Sequence, residues 1–179
     1  MANVFTLTKG SHADFSWKSL GNIAEGRANL GENMPVFVYR MMQYSVNSVL
    51  VKHYGQEKAD ELFREAGHAA GMEFAKNVLP MEDPFDKFVV ALQNALLENK
   101  VGILRVEQVD LEAGTLILTV HEDLDCSGLT DTEEVVCHFD EGFIAGILEA
   151  YTNAKFEVRE IDCWSNGGRV CRFKGRKVE

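Results

Sequence analysis

The chain has 179 residues, 46% of them hydrophobic and 26% charged, which suits one globular domain with a sizeable core. A formal charge of −10 argues against a nucleic-acid-binding surface, because phosphate contacts need concentrated Lys and Arg. No apolar run approaches the ~18 residues of a membrane span, and the first residues lack the basic and apolar regions of a signal peptide, so a cytoplasmic protein is expected.

Residues 1–33 read as an N-terminal extension packed on the domain. Val4, Phe5 and Leu7 suggest a short strand, followed by loops and one turn of helix among Gly21, Gly26 and Gly31. At Asn33-Met34-Pro35 a helix opens, with Asn33 as its cap and the proline in its first turn. It runs to Tyr54 and stops at Gly55, the expected left-handed cap. Val36, Phe37, Val38, Met41, Met42, Val46, Val49 and Leu50 make it apolar on much of its circumference. Such a helix is expected to be central in the fold or shared with a partner subunit.

A second helix, Glu57 to Leu79, carries Ala59, Leu62, Phe63, Ala66, Ala70 and Phe74 on one stripe. Gly67 and Gly71 lie one turn apart, and each glycine costs about 1 kcal/mol inside a helix, so close packing against them is expected. A third helix opens at Asp83-Pro84, and Phe85, Phe88, Val89, Leu92 and Leu96 follow the helical spacing.

The period then changes. Leu104 and Val106 alternate with Arg105 and Glu107, and Leu116, Leu118 and Val120 with Thr115, Thr119 and His121, which predicts a β-hairpin through Asp110 to Gly114. Six acidic residues between Glu122 and Glu134 read as a solvated loop. A helix is expected from Glu134 to Thr152, with Gly142 and Gly146 again leaving a close-approach face. The final hairpin, Phe156–Trp164 and Arg169–Phe173, turns at Asn166-Gly167-Gly168. Residues 34–176 therefore read as one α+β domain, helices packed on a four-stranded antiparallel sheet.

All four cysteines (126, 137, 163 and 171) fall in the last third of the chain. In a cytosolic protein they are expected as reduced thiols or metal ligands. A three-residue turn puts Ser165 opposite Arg169, Trp164 opposite Val170 and Cys163 opposite Cys171, with paired Cβ atoms about 4.5–5.5 Å apart. Glu160, Cys163 and Cys171, with Cys137 upstream, offer four ligands to a metal such as zinc, which prefers thiolates and accepts carboxylates. Arg159, Arg169 and Arg172 are expected to offset the negative charge. Glu160 and Cys163 have opposite parity along a strand, so a bulge or strand end has to intervene. Cys126 is expected outside this set, on a turn where acidic neighbours raise its pKa. His53, His68 and His121 show no partner at triad or metal spacing and read as surface or satisfied histidines, and His138 adjoins Cys137 but points about 100° away from it on a helix. On residue types alone a metal site, buried free thiols and a Cys163–Cys171 disulfide all stay open.

Cys137 before a glycine-containing helix, then Glu160-Ile161-Asp162-Cys163 and Cys171-Arg172-Phe173, resembles the 4-vinyl reductase domain family. That family includes the ligand-sensing domains of phenol- and xylene-responsive transcriptional activators. The resemblance covers about residues 95–175, and Leu30-Gly31, Pro35 and Tyr39-Arg40 extend it into the helical half. It implies a structural zinc on Cys137, Glu160, Cys163 and Cys171. It also implies a fold similar to transport-particle subunits, the Golgi-transport and signalling type of ligand-binding domain, dimerising through its helices. An apolar ligand would lie between helices and sheet, with Phe37, Met41, Phe63, Phe88, Leu92 and Phe143 as candidate walls. The His and Trp pair that anchors phenol in the aromatic sensors has no counterpart here, since Trp17 and Trp164 lie outside the central hairpin. Nor does the sequence carry the ATPase and DNA-binding domains of those activators.

The expected function is a stand-alone, homodimeric protein that binds or senses a hydrophobic or aromatic small molecule, rather than an enzyme. One alternative is a reductase or accessory protein acting on a tetrapyrrole, although no nucleotide or flavin motif is recognisable. Another is a thiol redox switch that exchanges zinc for the Cys163–Cys171 disulfide.

Overall fold

The computed structural model describes residues 14–110, 112–129 and 133–178. The strand expected at Val4 to Leu7 lies outside them. Residues 14–33 hold a 3-10 turn, Trp17–Leu20, and a single turn of helix, α1 (Ile23–Gly26). The Trp17 N–H donates to Glu73 Oε2 at 2.8 Å, while Leu20, Ile23 and Leu30 stay exposed.

Helix α2 (Val36–Tyr54) starts directly behind Pro35, whose missing N–H costs nothing at a helix start. Gly55 ends it with φ of 83° and also begins α3 (Gln56–Val78), a conformation that glycine adopts without a Cβ penalty. Helix α4 (Phe85–Glu98) opens behind Pro84 and buries Phe88, Leu92, Ala95 and Leu96 along one stripe. Strands β1 (Ile103–Asp110) and β2 (Thr115–His121) form the expected hairpin, α5 (His138–Thr152) follows, and β3 (Phe156–Asp162) and β4 (Cys171–Lys177) close the chain. Among the described residues the sheet has four strands in the order β1-β2-β4-β3, each antiparallel to its neighbour. Cys171 and Phe173 thus lie on an inner strand. The sheet sets Leu104, Leu116, Leu118, Val120, Val158 and Phe173 in a core shared with α4 and with Ile144, Ile147 and Leu148 of α5.

Helices α3 and α5 pack backbone to backbone. A Cβ at Gly67 or Gly71 would fall on the carbonyl oxygen of Phe139 or Phe143, and one at Gly142 or Gly146 on that of Arg64 or His68. The two glycine pairs noticed separately in the sequence are the two halves of one contact.

Three expectations need correction. Helix α5 begins at His138, four residues later than its apolar pattern suggested. The Glu134 carbonyl accepts the Ser165 hydroxyl at 2.6 Å, and the Cys137 N–H donates to Glu160 Oε2 at 3.0 Å, so both groups are taken by tertiary partners. The last connection is longer than three residues and contains a 3-10 turn, Trp164–Asn166, so Ser165 and Trp164 do not pair across it. Helix α2, finally, expected to be central in the fold or shared with a partner subunit, is not central. None of its residues is buried, and Phe37 and Met41 are 67% and 64% exposed, away from the cleft described below.

Candidate metal centre and ligand cleft

Four thiols meet beneath the last hairpin. Cys137 precedes the first residue of α5, Cys163 follows the end of β3, Cys171 opens β4, and Cys126 comes from the loop after β2. All four are fully buried, and their sulfurs lie within 4.8 Å of one another. The Sγ of Cys137 is 3.8 Å from those of Cys163 and Cys171, and the Sγ atoms of Cys126 and Cys171 are 3.0 Å apart. Zinc–sulfur bonds of about 2.3 Å in a tetrahedron separate the sulfurs by about 3.8 Å, so the four thiols suit zinc in chemistry and the Cys137 separations match it, while Cys126 and Cys171 stand closer than that geometry.

Cys126 was not expected in this set. The loop that carries it is clamped from above by α2. Tyr39 donates its hydroxyl to Asp125 Oδ1 at 2.8 Å, Gln43 Nε2 donates to Asp125 Oδ2 at 2.7 Å, and Tyr44 donates to the Asp125 carbonyl at 2.9 Å. Arg40 donates to the carbonyls of Leu124 and Ser127 at 2.7 and 2.9 Å. The Tyr39-Arg40 pair that resembled the family therefore holds a cysteine loop in place. A turn of acidic residues reads as solvated until the helix that covers it is known. The available signal was the fourth thiol itself, a better zinc ligand than a carboxylate.

Glu160 lies beside the cluster. The parity problem is solved by a bulge, since the register of β3 against β4 shifts between Glu160 and Asp162. One carboxyl oxygen accepts the Cys137 N–H, and Oε1 is buried with no hydrogen-bond partner among the described residues. Burial, with the Cys163 sulfur alongside, pushes this carboxyl up to about 9. Burial and the neighbouring Asp125 charge raise Asp123 to about 7, and burial with both of those charges lifts Asp140 well above the usual carboxylate range. Among the thiols, Cys163 is pushed down because Cys126, Cys137 and Cys171 hydrogen-bond to its sulfur. A buried group of thiols and carboxyls like this favours a cation, which would reverse the upward shifts.

The expected arginine compensation is absent from the described contacts. Arg172 pairs with Glu107 at 3.0 Å and with Asp162, and Arg159 pairs with Glu157 at 3.1 Å. The His138 ring turns away from the thiols, toward Asp60, Glu141 and Arg64. His68 meets Glu149 at 2.9 Å, a partnered histidine away from the thiols.

A cleft of about 150 Å³ opens between α4, the sheet and the end of α5. Phe85, Phe88, Val89 and Leu92 form one wall, Leu104, Val106, Leu116 and Leu118 the other, and Leu148 and Phe156 close the end, with Asp110 and Lys177 also on its lining. Beside it an inner space of about 40 Å³ reaches Phe143, Asp123 and Asp140. Of the six candidate walls, Phe88 and Leu92 line the cleft, and Leu92 and Phe143 the inner space. Phe63 faces a separate, more polar groove with Tyr44, Asp60 and His138.

A model of the V4R domain matches residues 116–177. The chain is 31% identical to the uncharacterized protein MJ1642 of Methanocaldococcus jannaschii over 150 residues, 84% of this chain and 82% of that one. Solved structures with a similar fold include two that were determined with a bound molecule. The phenol-responsive sensory domain of the transcription activator PoxR, crystallised with phenol, has a TM-score of 0.62 at 15% identity, over 82% of this chain and 76% of that one. A Naegleria fowleri trafficking protein particle complex subunit 3, covalently bound to palmitic acid, has a TM-score of 0.65 at 14% identity, over 80% of this chain and 95% of that one.

Proposed function

The chain belongs to the V4R domain family, and from that premise we propose that it is a small-molecule sensor with an apolar ligand cleft, a zinc clamp and a dimerising helix. The observation that carries this reading is the cleft between α4, β1, β2 and α5. Its lining is aromatic and aliphatic apart from a few polar groups, the usual character of a small-molecule site. An apolar cavity of about 150 Å³ holds a single six-membered ring. The similar folds hold phenol in one case and a palmitoyl chain in the other, both apolar bodies, which supports the ligand class but not the compound.

The clamp is proposed on Cys126, Cys137, Cys163 and Cys171, with Glu160 accepting the Cys137 N–H instead of binding the metal. It would tie the loop after β2, the start of α5 and both strands of the last hairpin into one unit. The dimer surface is proposed on α2, whose exposed Phe37, Met41, Met42, Val46 and Val49 form the apolar patch expected of an interaction site.

Native mass spectrometry of freshly purified protein, compared with its denatured mass, tests these points together. The expected species is a dimer with one zinc per chain that retains or takes up one apolar molecule. A metal-free monomer at the bare polypeptide mass that accepts no apolar probe would overturn the reading.

The 3.0 Å approach of Cys126 and Cys171 favours a second reading, a redox switch. In it these two thiols, rather than Cys163 and Cys171, pass two electrons and two protons to a disulfide oxidant and release the metal. Equal ligand affinity in reduced and oxidised protein would remove it.

A further inference from the structure

Strand β4 alternates along its length, with Cys171, Phe173 and Gly175 buried on the core face of the sheet and Arg172, Lys174 and Arg176 on the other. The next position on the core face is Lys177. It stands opposite Phe156, and both residues line the cleft. The backbone here is fixed on both sides. The Lys177 N–H donates to the Gly114 carbonyl at 2.7 Å, and the Val178 N–H donates to that of Lys155 at 2.9 Å. The side chain runs over Gly114, where an added Cβ would come within 2.7 Å of Lys177 Cβ and 3.4 Å of its Cδ. The aliphatic stem thus packs at the mouth of the cleft while the exposed ammonium keeps its water, a common arrangement for lysine at an apolar edge. Arg159, Arg172 and Arg176 have carboxylate partners. Among the described residues, no ion pair or side-chain hydrogen bond engages Lys177.

We propose that the cleft takes an amphipathic acid, with an apolar body between α4 and the sheet and a carboxylate at the mouth against Lys177. This rests on reading the cleft as the ligand site, and adds the charge of the ligand and its direction of entry, apolar end first. Away from the mouth, Phe88, Leu92, Leu104 and Leu118 offer a charged head neither water nor a partner. At the mouth the same head stays hydrated and gains a cation. A single lysine, with no second cation among the described residues of the lining, suits one negative charge. Asp110 also reaches the lining, but it pairs with Thr115 across the hairpin, one residue beyond the cleft-lining pair Val109 and Leu116. Its Oδ1 accepts the Ala113 N–H at 2.9 Å, which ties the carboxylate to the turn between β1 and β2. An amine head is therefore the poorer match.

The test is calorimetric titration of the full chain, as purified, with 3-phenylpropanoate, 3-phenylpropanamide and 3-phenylpropylamine, which share a ring and a tether and differ in charge. At low ionic strength the acid is expected to bind about three- to fivefold tighter than the amide, the range of a solvent-exposed ion pair, with the amine weakest. Raising the salt is expected to shrink that advantage. Lys177→Met keeps an unbranched apolar stem and removes the charge. It is expected to bring the acid down to the amide while amide binding stays unchanged, and Lys177→Arg to restore the preference. The ranking and its salt dependence in the unmodified protein stand on their own if a variant fails to fold. Equal binding of acid and amide, tightest binding of the amine, or an acid preference that survives in Lys177→Met overturns the inference and leaves the cleft reading intact. No binding by any of the three probes removes both.

Discussion

Cys126 carries the difference between a four-thiolate centre and the three-thiolate, one-carboxylate set that the family resemblance implied. The two arrangements separate by mutation. Cys126→Ser is expected to lower zinc affinity by at least about tenfold, and Glu160→Gln to leave one zinc per chain, as read by a chromophoric chelator competition. The opposite pattern would restore Glu160 as the ligand. Glu141 poses a different question. It is 2% exposed, accepts Arg64 Nε at 2.5 Å and the Glu160 N–H at 2.8 Å, and so ties α3, α5 and β3 together. Burial raises its pKa, but His138, the Glu160 N–H and Arg64 outweigh that and hold it below the usual value. A depressed carboxylate contributes stability above its unfolded pKa of about 4.3 and loses it as pH falls through the folded value. Glu141→Gln is therefore expected to cost about 3 kcal/mol at pH 7 by denaturant unfolding, with the gap narrowing below about pH 4.

Helices α3 and α5 form the tightest joint in the molecule, and it works because four glycines let the backbones touch. A methyl group there meets carbonyl oxygens of the facing helix, which cannot rotate away as a side chain could. Gly142→Ala is expected to destabilise the fold by about 2 kcal/mol, roughly 6 °C in Tm, despite the better helix propensity of alanine. A neutral or stabilising result would mean that the helices can move apart freely. Glycine spacing marked each helix as one with a close neighbour, yet spacing cannot name the neighbour. The pairing of Gly67 with Phe139 and of Gly142 with Arg64 was set by the tertiary fold.

Among the described residues, α2 leaves an apolar face open. Helix α2 is held by polar bonds to the 124–127 loop, while Phe37 and Met41 face outward. If that face is the dimer contact, Met41→Asp is expected to raise the dimer dissociation constant by about tenfold or more with the far-ultraviolet circular dichroism unchanged, as followed by analytical ultracentrifugation. An unchanged dimer would place the contact elsewhere. The sequence by itself determined the kinds of elements, because the 3.6- and 2-residue apolar periods are local properties of the chain. It also marked Cys137, Glu160, Cys163 and Cys171 as a group, and the bulge demanded by strand parity is present. The tertiary structure alone decided that Cys126 joins them, because its burial depends on Tyr39 and Arg40, more than eighty residues away in the chain. It alone also put Phe37 and Met41 on the surface and Phe88 and Leu92 in the cleft. An apolar side chain has the same periodicity whether it faces a core, a ligand or a partner, and only the packing of the remaining elements distinguishes them.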